Sequence, residues 1–275
     1  MPELPETETI ARDLDRALRG RVIVSTVVSR ADVLREVSAD QLGTRVEGQS
    51  IGRCWRRAKL VVIDLASGDR IVVQPRFTGA LLLSRGPLPE REARYSTLHF
   101  ALDDEHDLHY RDIRRLGTVA LMSPERFTQY TSALGVEPLD PAFTAAHLSG
   151  LVRGSRQAVK KVLMDQRLVV GIGNIYANEA CWRAGLDPSR MAREVTDEEA
   201  AALHAGITSV LTESIAARGT SFRDYVDASG GKGGFERSLA AYGRGGEPCL
   251  RCGARLVETH AIDGRTTVLC AHCQK

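Results

Sequence analysis

Four cysteines stand as Cys249-x2-Cys252 and Cys270-x2-Cys273, with 17 residues between the pairs. That spacing suits a metal: each pair forms one knuckle, and two knuckles complete a tetrahedron of sulfurs with no open position. One structural zinc ion is therefore expected on Cys249, Cys252, Cys270 and Cys273. Two disulfides are the competing use, which a reducing compartment disfavours. The lone Cys54 and Cys181 read as small buried hydrophobes. Between the pairs, GARLVETHAIDGRTTVL reads as two short strands with a turn at Asp263-Gly264 and Arg265 just past its tip. Arg265 is either a solvated turn charge or, carried on a rigid hairpin, a residue that reaches a phosphate or a groove.

The opening MPELPE places two prolines and two glutamates in six residues. It is either a frayed terminus or, once Met1 is removed, a secondary amine on Pro2 beside the carboxylates of Glu3 and Glu6. A helix follows directly in TETIARDLDRALRG, with Ile10, Leu14, Ala17 and Leu18 at helical spacing and Gly20 to end it. The terminus is thus tethered to an ordered element.

Three further stretches have chemistry to offer. In LVVGIGNIYANEA, Gly171 and Gly173 form a turn before a helix starting near Asn174. A helix N-terminus reached through glycines is a phosphate-binding arrangement, although a plain interhelical turn reads the same way. Upstream lie Arg153, Arg156, Lys160, Lys161 and Arg167, which favour contact with a nucleic-acid backbone. RCWRRAK is a basic strand edge whose Arg53, Arg56 and Arg57 can be simple solvated charges; Lys59 begins the next strand, so its direction is set. In RDIRRLG, Arg114 and Leu116 fall on one side if the stretch is extended, a cation beside an apolar wedge.

The elements that must position these residues follow a clear order. RVIVSTVV, KLVVIDL, RIVVQ, GALLL, STLHFALDD and HDLHYRDIRR are short β-rich runs separated by turn signals, which predicts a β-sandwich or barrel. EPLDPAF reads as a linker. Helical patterns occupy TAAHLSGLVRG, QAVKKVLMDQ, NIYANEACWRAG and TDEEAAALHAGITSVLTESIAARG, the last opened by a capping box of Thr196 and Glu199. The expected fold class is α+β multidomain: a β-sandwich with a leading helix over 1–124, a linker over 125–143, a helical domain over 144–236 and a zinc ribbon over 237–275. The chain has 275 residues, 43% hydrophobic, and a net charge of only +2, so any nucleic-acid binding must come from local patches. No apolar run is long enough to span a bilayer, and the start lacks a secretory pattern, so an intracellular chain is expected.

Taken together and in order, MPELPE, RRAK with Lys59, DIRRLG with Arg114, GIGNIYANEACWRAGLDP and YGRGGEPCLRCGARL…GRTTVLCAHCQK resemble the bacterial formamidopyrimidine-DNA glycosylase family, which includes endonuclease VIII. The resemblance covers nearly the whole chain. It implies a β-sandwich, a helix–two-turns–helix domain and a zinc ribbon, with DNA in a basic cleft. It further implies a monomeric bacterial protein of the cytoplasm and nucleoid, acting on double-stranded DNA that carries oxidised bases or abasic sites. By that resemblance Pro2 is the nucleophile that attacks C1′, and Glu3 is the proton donor and acceptor. Glu6 orients the terminus, and Lys59 touches the lesion or its phosphate. A terminal amine with an ordinary pKa of about 8 is neutral far more often at pH 7 than a lysine near 10.4. A secondary amine also forms a charged iminium without losing a further proton.

Lys160, Gly173, Asn174, Tyr242 and Arg265 resemble backbone-phosphate contacts, and Arg114 fills the gap left by an everted nucleotide. The segment 220–236 is similar to a loop that closes over an everted 8-oxopurine, and with Leu4 it favours oxidised purines such as 8-oxoguanine and formamidopyrimidines. Two departures stand out. The family motif HxGMxG reads QPRFTG here, so Phe77 takes the inserting position, and the wedge phenylalanine of DxRRFG is Leu116. The activity implied is glycosylase plus abasic-site lyase. The alternatives are an endonuclease VIII-like enzyme for oxidised pyrimidines and a damaged-DNA binder without chemistry.

Overall fold

The structure, a computed structural model, describes residues 1–221 and 225–275. The chain forms two compact units. One comprises Met1–Ala133 and Ala217–Gly234; the other comprises Leu134–Ala216 and Phe235–Lys275.

The first unit opens with helix α1 (Leu4–Leu18), which starts three residues earlier than the apolar spacing suggests. Pro5 lies in its first turn, where a missing N–H costs nothing. Gly20, at φ +81°, turns the chain away after it. Two sheets follow. Strands β1 (Ile23–Val28), β6 (Gly79–Arg85), β7 (Ser96–Leu102) and β8 (His106–Asp112) form a four-stranded antiparallel sheet in the order β1-β7-β8-β6. Strands β2 (Leu34–Arg35), β3 (Ile51–Arg57), β4 (Leu60–Leu65), β5 (Arg70–Gln74) and β9 (Thr118–Met122) form a five-stranded sheet in the order β2-β9-β5-β4-β3. Short helices α2 (Ala39–Val46), α3 (Glu90–Ala93) and α4 (Pro124–Thr131) complete the unit.

One core joins the sheets. Val61, Ile63, Ile71, Val73, Val119 and Leu121 of the larger sheet share it with Leu81, Leu98, Phe100, Leu108 and Tyr110 of the smaller one. Ile10, Leu14 and Leu18 of α1 join them. Each such side chain contributes roughly 1.5–3 kcal/mol on leaving water. The sandwich expectation therefore holds, with two local differences. The stretch 125–143, expected to be a linker, begins inside helix α4. Ser123 caps that helix by accepting from the Arg126 N–H, and Pro124 opens it. Phe127 of α4 covers Leu60, Val62, Val72, Ala120 and Met122 on the second face of the larger sheet. That cover explains why LVVIDL reads as one apolar run and not as an alternation.

The second difference is the return of 217–234 to the first unit, where the sequence boundary placed the whole of 144–236 in one domain. The Arg218 guanidinium pairs with Asp13 of α1 and with Asp227, Leu83 N–H donates to Ala228 C=O, and Tyr225 and Ala228 enter the core.

The second unit contains α5 (Ala145–Arg153), α6 (Val159–Met164), α7 (Asn174–Ala184) and α8 (Asp197–Ala216), then the hairpin β10 (Val257–Thr259) and β11 (Thr267–Leu269). The expected box at α8 is present: Thr196 N–H donates to Glu199 Oε2, and Glu199 N–H to Thr196 Oγ1. Gly185, left-handed at φ +69°, closes α7. Among the described residues, no helix is long and apolar enough to cross a membrane.

Candidate active site and nucleic-acid interface

Residues 2–7, directly after an exposed Met1, are buried. Pro2 and Glu3 are enclosed, and Glu6 is 1% exposed. Glu6 holds two main-chain donors: its Oε2 accepts from Glu3 N–H at 2.8 Å and its Oε1 from Thr220 N–H at 2.8 Å. A carboxylate accepting two N–H groups out of water is a strong positional anchor. Glu6 thus fixes the main chain at Glu3 and ties the start of α1 to the base of 217–234. Arg218 stiffens that base from the other side through Asp13 and Asp227, and both contacts raise its already high pKa. Tyr225 is packed beside it, its hydroxyl pKa pushed up by burial and by Glu6. Residues 222–224, part of the expected capping loop, lie outside the described residues.

Lys59 is buried, but it sits in the two-residue turn between β3 and β4 and not on the strand. Ala58 before it takes φ +54°, a left-handed conformation that costs a non-glycine residue free energy and recurs where geometry serves function. On the neighbouring edge, Arg56 pairs with Glu8 at 2.9 Å. Burial raises the Glu8 pKa, but Arg56 and Arg12 outweigh it and hold the carboxyl below its ordinary value.

Phe77 and Arg114 meet where two loops of the first unit adjoin, and Leu116 follows on the second of them. Phe77 is 46% exposed and Leu116 is 40% exposed, large apolar groups left in water. The Arg114 guanidinium lies over the Phe77 ring at 5.2 Å. The expected extended geometry of RDIRRLG is not observed, because β8 ends at Asp112 and Arg115 turns to φ +50°. Asp112 shapes that turn. Its carboxylate accepts from the Thr78 hydroxyl at 2.5 Å, from Arg114 N–H at 3.3 Å and from Gly117 N–H at 2.8 Å, and Arg114 N–H also reaches Thr78 Oγ1 at 3.0 Å. Gly117 is required by space: a Cβ there would meet Tyr110 Oη at 1.9 Å. Sequence reasoning missed Asp112 and Thr78. The one available signal was an acidic residue inside a strand-forming run, flanked by arginines.

In the second unit the structure corrects one assignment. Lys160 is 0% exposed, and its Nζ donates to Thr266 C=O at 2.7 Å and Thr267 Oγ1 at 2.8 Å. A lysine enclosed in this way cannot lie against a phosphate; it braces the hairpin. Asn174, half-buried, also reaches the hairpin, its side-chain amide donating to Thr266 C=O at 3.0 Å. Asn178 completes the brace by accepting from Val268 N–H at 2.8 Å. Arg265 is left exposed at the tip, and beside it Lys161 pairs with Asp263 at 2.9 Å. Gly173 caps α7, and Gly171, at φ +80°, makes the preceding turn. Gln166 holds that turn by accepting from Gly171 N–H and donating to the carbonyls of Met164 and Ile172. Glu179 is a second buried group the sequence did not disclose. It accepts from the N–H groups of Ala240, Ala241 and Tyr242 and so places Tyr242, while burial pushes its pKa up.

The sulfurs of Cys249, Cys252, Cys270 and Cys273 lie within 4.8 Å of one another, and those of Cys252 and Cys270 are 3.5 Å apart. Zinc–sulfur bonds of ~2.3 Å set tetrahedral ligands about 3.7 Å apart, so the four fit one closed, structural zinc. Cys181, by contrast, is sealed inside the second unit, where burial lifts its thiol pKa to about 12, and it is inert.

The comparisons agree along the chain. Residues 1–119 match the formamidopyrimidine-DNA glycosylase N-terminal domain, 134–226 its H2TH (helix–two-turns–helix) domain, and 246–275 a zinc finger found in Fpg and IleRS. A formamidopyrimidine-DNA glycosylase of Carboxydothermus hydrogenoformans is 39% identical over 277 residues, covering 100% of both chains. Lactococcus lactis Fpg (MutM), solved with DNA containing N7-benzyl-Fapy-dG, superposes with a TM-score of 0.91 at 30% identity, covering 100% of both chains. Lactococcus lactis Fpg bound to DNA with an abasic site gives 0.91 at 29% identity, covering 99% of each. The chain belongs to the formamidopyrimidine-DNA glycosylase family.

Proposed function

We propose that this chain is a base-excision-repair DNA glycosylase and abasic-site lyase that removes oxidised purines, with Pro2 as its nucleophile. The observation that carries the reading is the anchored N-terminus, with Glu6 gripping Glu3 N–H and Thr220 N–H. A frayed end needs no such grip, and a binder without chemistry gains nothing from it.

Removal of Met1 frees the Pro2 amine. Its lone pair attacks C1′ of the damaged nucleoside and the base departs. The Pro2 nitrogen then gives up its N–H proton, O4′ takes a proton from Glu3 as the C1′–O4′ bond breaks, and the nitrogen lone pair closes to an iminium. The iminium acidifies C2′; loss of that proton expels the 3′-phosphate, and a second elimination expels the 5′-phosphate. Lys59 is assigned to the lesion or its phosphate. Arg114, with Phe77 beneath it and Leu116 beside it, fills the space of the everted nucleotide and faces the orphaned base. The positive end of α7, Tyr242 and Arg265 hold the phosphate backbone. The reading accords with the lesion-bearing and abasic DNA held by the Lactococcus lactis relatives. The zinc keeps the Arg265 hairpin rigid.

Borohydride tests this directly. It should reduce the iminium and link the protein covalently to duplex DNA carrying 8-oxoguanine or an abasic site, with mass spectrometry placing the link on Pro2. A form retaining Met1, in which the Pro2 nitrogen is an amide, should give no link while still binding DNA. A link to an internal side chain, or tight binding with no link in the unaltered protein, would overturn the assignment.

A further inference from the structure

Asp107, His99 and His109 gather on the face of the four-stranded sheet turned away from the core. Leu98, Phe100, Leu108 and Tyr110 point into the core, so alternation along β7 and β8 sends these three the other way. His99 and His109 are direct cross-strand partners, and Asp107 lies two residues along β8. Val27 of β1 and Leu82 of β6 flank the histidine pair in register, giving it apolar walls.

We propose that His99, Asp107 and His109 bind a divalent transition-metal cation of the zinc and nickel class, separate from the four-cysteine zinc. One potential ligand atom from each residue lies within 4.8 Å of the others. The imidazoles are stacked, 4.4 Å between centroids and 5° from parallel, so one ring must turn about its Cβ–Cγ bond for both in-plane lone pairs to meet one ion. His99 Nε2 approaches Asp107 Oδ1 to 2.8 Å, yet it makes no hydrogen bond, so the two atoms lie side by side and not in line. Ligands on a shell of ~2.1 Å sit about 3 Å apart in just this relation.

His109 carries the argument furthest. Its side chain belongs to a residue 8% exposed, and its Nε2 is buried with no partner among the described residues. An orphaned buried nitrogen of this kind carries a desolvation cost that a bound ligand would offset. Its other nitrogen, Nδ1, lies 3.1 Å from Ser96 Oγ. If Nδ1–H donates to Ser96, the Nε2 lone pair is left free to take a ligand on the side of the ring that Asp107 and His99 share. That is the usual outer support of a metal-ligating histidine. His99 and Asp107 are 29% and 24% exposed at the side chain, which leaves an entrance. Two imidazoles and one carboxylate suit zinc, nickel or cobalt and leave further positions to water. The site does not depend on the repair reading.

The test titrates Ni2+ into the zinc-loaded full-length protein near neutral pH. One equivalent should bind beyond the zinc, with an X-ray absorption spectrum showing nitrogen and oxygen ligands and no sulfur. His99→Ala and Asp107→Asn, at partly exposed positions that do not form the core, should each weaken binding by about tenfold or more. Ni2+ should raise the melting temperature of the unaltered protein and not that of the variants. No added equivalent, equal binding by the variants, or sulfur ligation would each overturn the proposal.

Discussion

Asp112 does more for the site than its position in a strand suggests. One buried carboxylate accepts from Thr78, Arg114 and Gly117 and thereby fixes the loop that presents Arg114 and Leu116. Asp112→Ala removes the acceptor and strands buried donors, each worth about 1–3 kcal/mol. The variant should melt at a lower temperature, and its excision rate on 8-oxoguanine duplexes should fall further than its affinity for abasic DNA. Equal melting temperatures would mean that water replaces the carboxylate. Beside it, Phe77 and Leu116 leave apolar mass exposed, and the Arg114 guanidinium rests on the Phe77 ring.

At the scale of elements, the hairpin β10–β11 and helix α7 behave as one piece. Lys160, Asn174 and Asn178 all bind its main chain between Thr266 and Val268. Lys160→Met should therefore weaken duplex binding by loosening the tip that carries Arg265. The slope of log affinity against log salt should stay unchanged, because no phosphate contact is lost. A slope shallower by about one would restore Lys160 as a phosphate ligand. The pattern Lys160-Lys161 looks uniformly basic in the sequence; the fold sends one lysine inward to the Thr266 carbonyl and Thr267 hydroxyl and the other outward to Asp263. A residue list cannot distinguish them, since helix α6 presents both faces to protein or water only after its neighbours are in place.

The whole molecule is two units, and the chain leaves the first, builds most of the second and returns. The chain's two tryptophans report on them separately. Trp55 packs edge-on against Phe127 in the first unit, while Trp182 lies under Arg251 at 4.5 Å and packs against the cysteine cluster in the second. Removing zinc with a chelator should shift the emission of a Trp55→Phe protein, which keeps only Trp182. A Trp182→Phe protein should be unaffected, and duplex affinity should fall. Unchanged affinity in protein verified as metal-free would remove the hairpin from the binding surface.

Spacing alone determined the zinc ligands, because four sulfurs around one ion impose a short local pattern. Apolar alternation and helical periodicity likewise determined the sandwich and the four helices, since both patterns are read within one element. The candidate site at Pro2, Glu3 and Glu6 was legible from its residue types and family likeness, but its anchorage was not. Thr220 lies 214 residues beyond Glu6, and only the returning segment brings its N–H to that carboxylate. The inward turn of Lys160, the loop-shaping Asp112 and the stacked His99–His109 pair were likewise decided by tertiary structure. Each depends on a partner from another element, and burial sets its strength. Neither is encoded in a stretch of neighbouring residues.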